Sequence, residues 1–211
     1  SDMLIKVAEK DKPIMLATGA SYFDEVERAM NIVEKYNKDI VLMQCNTNYT
    51  ASVENYKYVN LNVLKKYKKC FPNVVLGLSD HTYGHATVLG ALALGATVFE
   101  KHFTDDNDRI GPDHKFSMNP ETWKSMVDEA NLLYEALGDG EKRLEENEKE
   151  SVIVQRRALF TKRKIKAGDI IKKEDLIPLR PIKEGGIEPW NISSIIGMRA
   201  KRDIDMDDYI R

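Results

Sequence analysis

Through the first two-thirds of the chain, short apolar runs alternate with polar turns and amphipathic stretches of helical period. Pro13-Ile14-Met15-Leu16-Ala17-Thr18-Gly19 reads as a strand closed by a glycine turn. Ser21 stands where an N-cap is needed, and Val26, Ala29, Met30, Val33 and Tyr36 then recur at helical spacing. A second unit runs from Ile40-Val41-Leu42-Met43-Gln44-Cys45 through the polar loop 46–50 into a helix expected to carry Tyr56, Val59, Val63, Leu64 and Tyr67. The third begins at Val74 and ends at His81, followed from Ala86 to Leu94 by a helix whose Ala and Gly content suits tight packing. The fourth strand spans Ala96 to Phe103, and a long polar loop continues through Asp113. Asn119-Pro120 offers an N-cap with Pro at the first helical position; Trp123, Met126, Val127, Ala130, Tyr134 and Leu137 form the apolar stripe, and Gly138 supplies the stop. Successive βα units imply an α/β fold with parallel strands, either half of an eight-stranded barrel or a small open sheet.

The vocabulary changes after residue 139. Residues 140–152 are rich in Glu, Lys and Asn with little apolar content, as in a linker or a solvated helix. Residues 153–211 carry short segments such as Ala158-Leu159-Phe160-Thr161, punctuated by Gly168-Asp169, Gly185-Gly186 and Pro189, which predicts a second, mostly β domain. Within it, Ile165, Asp169 and Ile171 share their spacing with Ile204, Asp208 and Ile210, preceded by Arg163 and Arg202 respectively. Two similar hairpin-like units would produce this echo.

With 211 residues, 42% hydrophobic and 31% charged, the chain can bury one medium core and one small one. A net charge of −2 advertises no basic surface for a nucleic acid, so small-molecule partners are expected. Cys45 and Cys70 are placed without the spacing of a disulfide framework, which fits a reducing cytoplasm. The first residues lack the apolar core of a signal peptide and no apolar run is long enough for a bilayer, so a cytoplasmic location without membrane contact is expected. Because the chain opens on Ser1 in what reads as the last turns of a helix, it is expected to be a piece of a longer protein.

Period-two alternation puts Gly77, Ser79 and His81 on one face of their strand and Val98, Glu100 and His102 on one face of the next. Both histidines then fall at C-terminal strand ends, where barrel and open-sheet enzymes keep their chemistry. Two imidazoles on neighbouring strands can converge on one divalent metal and leave positions free for water and substrate oxygens. The plainer reading is that each histidine only hydrogen-bonds a neighbouring loop. The same alternation turns Lys101 away from His102, against a Schiff-base lysine there.

The residues in question sit in blocks: Gly77-Leu78-Ser79-Asp80-His81-Thr82, Glu100-Lys101-His102-Phe103-Thr104, Gly111-Pro112-Asp113 and Phe116-Ser117-Met118-Asn119-Pro120. Together with the Pro13–Gly19 strand, the 44–49 loop, Gln155-Arg156-Arg157, Ile165-Lys166-Ala167-Gly168 and Leu179-Arg180-Pro181, they resemble the N-acetylneuraminate (sialic acid) synthase family over nearly the whole chain. That resemblance implies a TIM-type (βα) barrel, of which residues 1–139 carry about the last four βα units. A small, mostly β antifreeze-like (SAF, β-clip) domain over 153–211 would follow. It also implies a domain-swapped homodimer in which the small domain caps the other subunit's active site.

The activity implied is condensation of phosphoenolpyruvate with an N-acyl amino-sugar aldehyde such as N-acetylmannosamine, with uptake of water and release of phosphate. By position, His81 and His102 would hold a divalent metal, manganese or magnesium, and Ser79 would contact phosphoenolpyruvate. Thr47, Tyr49 and Asp113 would bind substrate, and Arg180 would reach the site from the cap of the other subunit. Glu100, sharing a face with His102, is the candidate for ordering water or moving a proton. Its bland alternative is an ion pair with a barrel lysine; a loop cap is that of Asp113 and a surface ion pair that of Arg180. Ala17 stands where many relatives have a Ser, and Thr47 where several have an Asn, which weakens the transfer for the phosphoenolpyruvate pocket. Because the family's first four strands are absent from this sequence, the chain is expected to be inactive alone. A non-catalytic carbohydrate-binding or assembly module is the alternative from another class.

Overall fold

The computed structural model describes residues 2–50 and 52–211. They form two compact units, one ending at Gly140 and the other running from Glu141 to Arg211. In the first, α1 (Asp2–Ala8) leads into β1 (Ile14–Ala17), α2 (Phe23–Val33), β2 (Ile40–Cys45), α3 (Val63–Cys70), β3 (Val75–Asp80), α4 (Ala86–Ala93), β4 (Ala96–Lys101) and α5 (Pro120–Leu137). The strands pair in chain order, all parallel. This is the arrangement that alternating βα units must give when each crossover helix returns the chain to the same sheet edge.

One face of the sheet packs against the helices. Leu42 and Leu78 meet Met30, Val33, Leu64, Tyr67, Val88 and Ala91 in a single core, each nearly or completely buried. The opposite face carries Met15, 62% exposed, and Val75, 45% exposed, together with the catalytic candidates. Near its centre Gly77 is required by close approach: a Cβ there would lie 2.9 Å from both Met43 Cγ and the Val98 carbonyl oxygen. Parallel sheets are ordinarily covered on both faces, and here the exposed apolar positions mark a face that the described residues leave uncovered.

Several local expectations are revised. The cap of α2 is Tyr22, not Ser21, whose hydroxyl instead donates to the Gly19 carbonyl at 3.1 Å. Tyr56 and Val59 do not share a helix with Val63, Leu64 and Tyr67. Val53–Tyr58 is a short 3-10 helix, and Asn60, at φ +50, breaks the chain before α3. At the start of α5, Asn119 does accept from the Thr122 amide with Pro120 behind it, and Gly138 ends that helix at φ +59. Of the stripe on α5 only Met126 is fully buried, while Tyr134 and Leu137 remain exposed.

The second unit opens with an exposed 3-10 turn and α6 (Lys149–Gln155), the solvated-helix form of the two open possibilities for 140–152. β5 (Ala158–Thr161) and β6 (Leu176–Leu179) pair antiparallel, with Leu159, Ile165, Ile171, Leu176, Ile195, Ala200, Ile204 and Ile210 as the core. The echo between 163–171 and 202–210 is structural, but the two copies do not fold as separate hairpins. They pair with each other: Ile165 and Ile204 exchange backbone hydrogen bonds, both 2.8 Å. Gly168, at φ +92, and Asp207, at φ +60, occupy equivalent left-handed positions.

Arg163 ties this unit together by donating from Nε and Nη2 to Asp175, at 2.6 and 3.0 Å, while the Lys172 amide donates to the same carboxylate. The Arg163 guanidinium holds the Asp175 carboxyl below its usual range, against a smaller opposing effect of burial. A folded-state pKa below the unfolded one contributes stability above the unfolded value of about 3.9 and loses it as pH falls through the folded value. Asp175→Asn is therefore expected to lower the melting temperature of the second unit at pH 7, with the gap to the parent chain closing below about pH 4. Thermal melts across that range by circular dichroism check this; a gap that does not change with pH would count against it.

Candidate active site

The C-terminal ends of β3 and β4 are locked by a buried charge pair. Lys101 Nζ lies 2.6 Å from Asp80 Oδ2, with both side chains 1% exposed, and Lys101 also donates to the Thr82 carbonyl at 2.8 Å. Asp80 accepts from the Thr82 amide and hydroxyl and from the Thr87 hydroxyl, the last at 2.6 Å. Among the described residues no buried side-chain nitrogen or oxygen lacks a hydrogen-bond partner, which is the condition under which a buried pair is tolerated. Because residues alternate across a strand, Asp80 and Lys101 point to the helix side. Their neighbours Ser79 and Glu100 point to the opposite face, and His81 and His102 follow where the strands end.

On that face Cys45, Ser79 and Glu100 form a row across three strands in register. The Ser79 hydroxyl donates to Glu100 Oε1 at 2.7 Å. Ser79 is buried and Glu100 is exposed, and no lysine pairs with Glu100 among the described residues. Burial pushes the Cys45 thiol up, so it is a neutral wall of the site. Among the described residues Cys45 and Cys70 are free thiols.

The two imidazoles come together at the strand ends, with ring centroids 5.2 Å apart and edge-on to one another. His81 Nδ1 lies 2.9 Å from the Asn46 carbonyl. A carbonyl only accepts, so Nδ1 carries a proton and Nε2 is the ring nitrogen left free of that bond. His102 Nδ1 faces Asp113 Oδ2 at 3.5 Å. Burial, and then the neighbouring His81, hold His102 below the ordinary imidazole value, so it is neutral at pH 7. Tyr49 leans over both rings, 4.3 Å from His81 and 5.6 Å from His102, and Phe116 closes the far side of His102 at 5.1 Å.

Asp113 is brought to His102 by the long loop after β4. The loop is anchored where the Met118 amide donates to the His102 carbonyl and Thr104 donates to Met118, both at 2.8 Å. Asn107 donates to the carbonyls of His114 and Ser117, and Asn119 donates to Asn107. The Thr104 hydroxyl meets His114 Nδ1 at 2.8 Å. Asp113 itself adopts φ +70, a left-handed conformation tolerated by Asp. Thr47 lies against Gly19, where a Cβ would come within 2.5 Å of its methyl group. Ala17 is exposed on the same face of the sheet as the row.

Of the residues singled out from sequence, the structure brings together His81, His102, Tyr49 and Asp113, with Ser79 and Glu100 bonded to each other beside them. Arg180 belongs to the second unit, exposed just after β6 and joined to Pro181 by a cis peptide bond. His85 lies elsewhere, paired with Glu129 at 2.9 Å. The structure adds residues that sequence reasoning passed over: the Asn46 carbonyl, Phe116, Cys45, and the Asp80–Lys101 pair. That pair had a signal, since Asp80 and Lys101 each immediately precede a candidate histidine.

Residues 1–142 match the NeuB family, and residues 156–211 match the SAF domain. The chain belongs to the NeuB family. It is 35% identical over 211 residues to the N,N'-diacetyllegionaminic acid synthase of Campylobacter jejuni, covering 99% of this chain and 61% of that protein. It is 30% identical over 207 residues to the N-acetylneuraminate-9-phosphate synthase of Homo sapiens, covering 98% and 56%. Among solved structures, the spore coat polysaccharide biosynthesis protein of Bacillus subtilis superposes with a TM-score of 0.58 at 29% identity, over 100% of this chain and 63% of that one. The N-acetylneuraminic acid synthetase of Leptospira borgpetersenii superposes with a TM-score of 0.64 at 27% identity, over 72% and 52%. The chain therefore spans roughly six-tenths of the length of these curated relatives, as the 61% and 56% figures show. Its parallel sheet corresponds to part of the NeuB-type barrel, and its second unit to the SAF domain.

Breaking a buried ion pair by removing one partner leaves an uncompensated charge, at a cost of about 3–5 kcal/mol. Lys101→Met is accordingly expected to destabilise the first unit by about that amount in urea titrations. A loss below about 1 kcal/mol would mean the pair is not what clamps the strand ends.

Proposed function

We propose that this chain supplies part of a nonulosonic acid synthase active site, in which phosphoenolpyruvate is joined to an N-acyl amino-sugar aldehyde. The observation that carries the reading is the convergence of His81 and His102, 5.2 Å between centroids, beside the Ser79–Glu100 pair. The residues fit a divalent cation, manganese or magnesium. His81 Nδ1 is engaged by the Asn46 carbonyl, which leaves Nε2 as the nitrogen free to ligate, and burial lowers the His102 pKa. Among the described residues no group of three or more His, Cys, Asp and Glu side chains is placed to enclose a metal. Two imidazole ligands would leave positions on such a cation for substrate oxygens. Bound there, a divalent cation would polarise the aldehyde oxygen, so that C3 of phosphoenolpyruvate forms the new bond to the carbonyl carbon.

The chain's own groups do the rest. The Ser79 hydroxyl contacts phosphoenolpyruvate, and Glu100, sharing its proton, orders the water that adds at C2 as phosphate departs and the keto acid forms. Asp113 and Tyr49 hold the sugar against the imidazoles, the first through hydroxyl hydrogen bonds and the second by its ring face. Thr47 borders the same mouth. Arg180 acts from the SAF domain of the second copy in a domain-swapped homodimer. No helix among the described residues is long and apolar enough to cross a membrane, and the cytoplasm is where phosphoenolpyruvate is encountered.

The uncovered face bearing Met15 and Val75 supports the further reading that this chain alone does not complete the site. Isothermal titration of the 211-residue chain with manganese is expected to show one site that His102→Ala abolishes. The same chain with phosphoenolpyruvate and a panel of N-acyl aldoses is expected to release no phosphate. Absent manganese binding overturns the metal reading, whereas turnover by the isolated chain overturns the incompleteness.

A further inference from the structure

A second concavity, about 670 Å³, lies at the rim of the first unit, between the turn after β1, the loop after β2 and the approach to α3. Its size is that of a small-molecule site; His81 and His102 do not line it, whereas Cys45, Asn46 and Thr47, which border the candidate active site, do. Two aromatic side chains at its edge, Tyr22 and Tyr58, are 80% and 63% exposed, and neither is used in the core. The lining also includes the amide residues Asn46 and Asn60 and the hydroxyl residue Thr47. Among the described residues the side chains of Thr47, Tyr58 and Asn60 have no hydrogen-bond partner, and Asn46 uses only Nδ2, at 3.3 Å to the Tyr58 carbonyl. Among the described lining residues the charged side chain is Lys66, whose ammonium sits 3.3 Å over the ring of Phe23, itself a lining residue.

Exposed tyrosine faces stack on the CH faces of a pyranose, and free amides and hydroxyls pair with its hydroxyl and acetamido groups. A lone ammonium with no carboxylate in the lining selects a carboxylate on that sugar. We propose that this rim groove is a second, non-catalytic saccharide site that takes an acetamido sugar acid, the chemical class of the product under the synthase reading. The choice of sugar acid rests on that reading; the carbohydrate character of the groove rests on its lining alone. The Asn46–Thr47 segment forms a wall of both sites, since the Asn46 carbonyl also holds His81. A sugar acid in the groove is thus placed beside the catalytic mouth without occupying it.

Ligand-observed NMR and calorimetry on the full 211-residue chain, with N-acetylneuraminic acid as probe and N-acetylmannosamine as the neutral comparison, test this. Tyr22→Ala is expected to weaken both sugars, whereas Lys66→Met weakens the acid roughly fivefold and leaves the neutral sugar within about twofold. Circular dichroism melts of both variants verify the fold. In His102→Ala the groove is intact, so binding of the acid is expected to persist even if the synthase reading fails. Loss of binding in His102→Ala with no effect of Tyr22→Ala and Lys66→Met would place the probe at the histidine pair and overturn the proposal, as would no binding at millimolar probe. Equal weakening of both sugars by Lys66→Met would overturn the choice of acid.

Discussion

The buried pair of Asp80 and Lys101 is the contact on which the candidate site depends. It joins the last residues of two adjacent parallel strands in a medium where an unpaired charge is not tolerated, and the hydroxyls of Thr82 and Thr87 complete its shell. A clamp of this kind has a directional consequence. With Asp80 and Lys101 fixed on the helix side, the period of two forces Ser79 and Glu100 to the other face and delivers His81 and His102 together at the strand ends. Structural and chemical residues are thus interleaved along the same few positions, one facing each way.

What the clamp brings together, the surrounding loops orient. A backbone carbonyl at Asn46 sets the proton of His81 on Nδ1, and the loop after β4 carries the Asp113 carboxylate to His102. That loop is long and polar, yet it is held by asparagine side chains bonding carbonyls within it and by its return to the strand at Met118. The consequence is a pair of imidazoles under one aromatic ring, with a hydroxyl–carboxylate pair alongside. This is an arrangement suited to ligating a cation and handling a proton at one place.

The second unit solves a different problem. A small domain cannot rely on a large core, and here two similar segments pair with each other across Ile165 and Ile204, so that each supplies the other's hydrogen-bond partners. Arg163 and Asp175 add a bidentate bond that fixes the turn before β6. Repetition in the sequence became mutual pairing, where sequence alone suggested two similar hairpin-like units.

Much of the architecture was legible residue by residue. The alternation of apolar runs and helical stripes located β1 to β4 and the helices between them. Asn119-Pro120 and Gly138 marked the ends of α5, and period-two alternation assigned Ser79 and Glu100 to one face and Lys101 to the other. These are local properties, set by backbone geometry and side-chain burial, and so they are written in the order of residues. The cap of α2, the break at Asn60 and the mutual pairing of the repeats were not legible, because each is settled by which distant group is nearby to accept or donate a hydrogen bond. For the same reason the roles of the Asn46 carbonyl, Phe116 and the Asp80–Lys101 clamp waited for the tertiary structure. Sequence determined which residues could face the site; only the packing of one strand end against the next decided which of them meet.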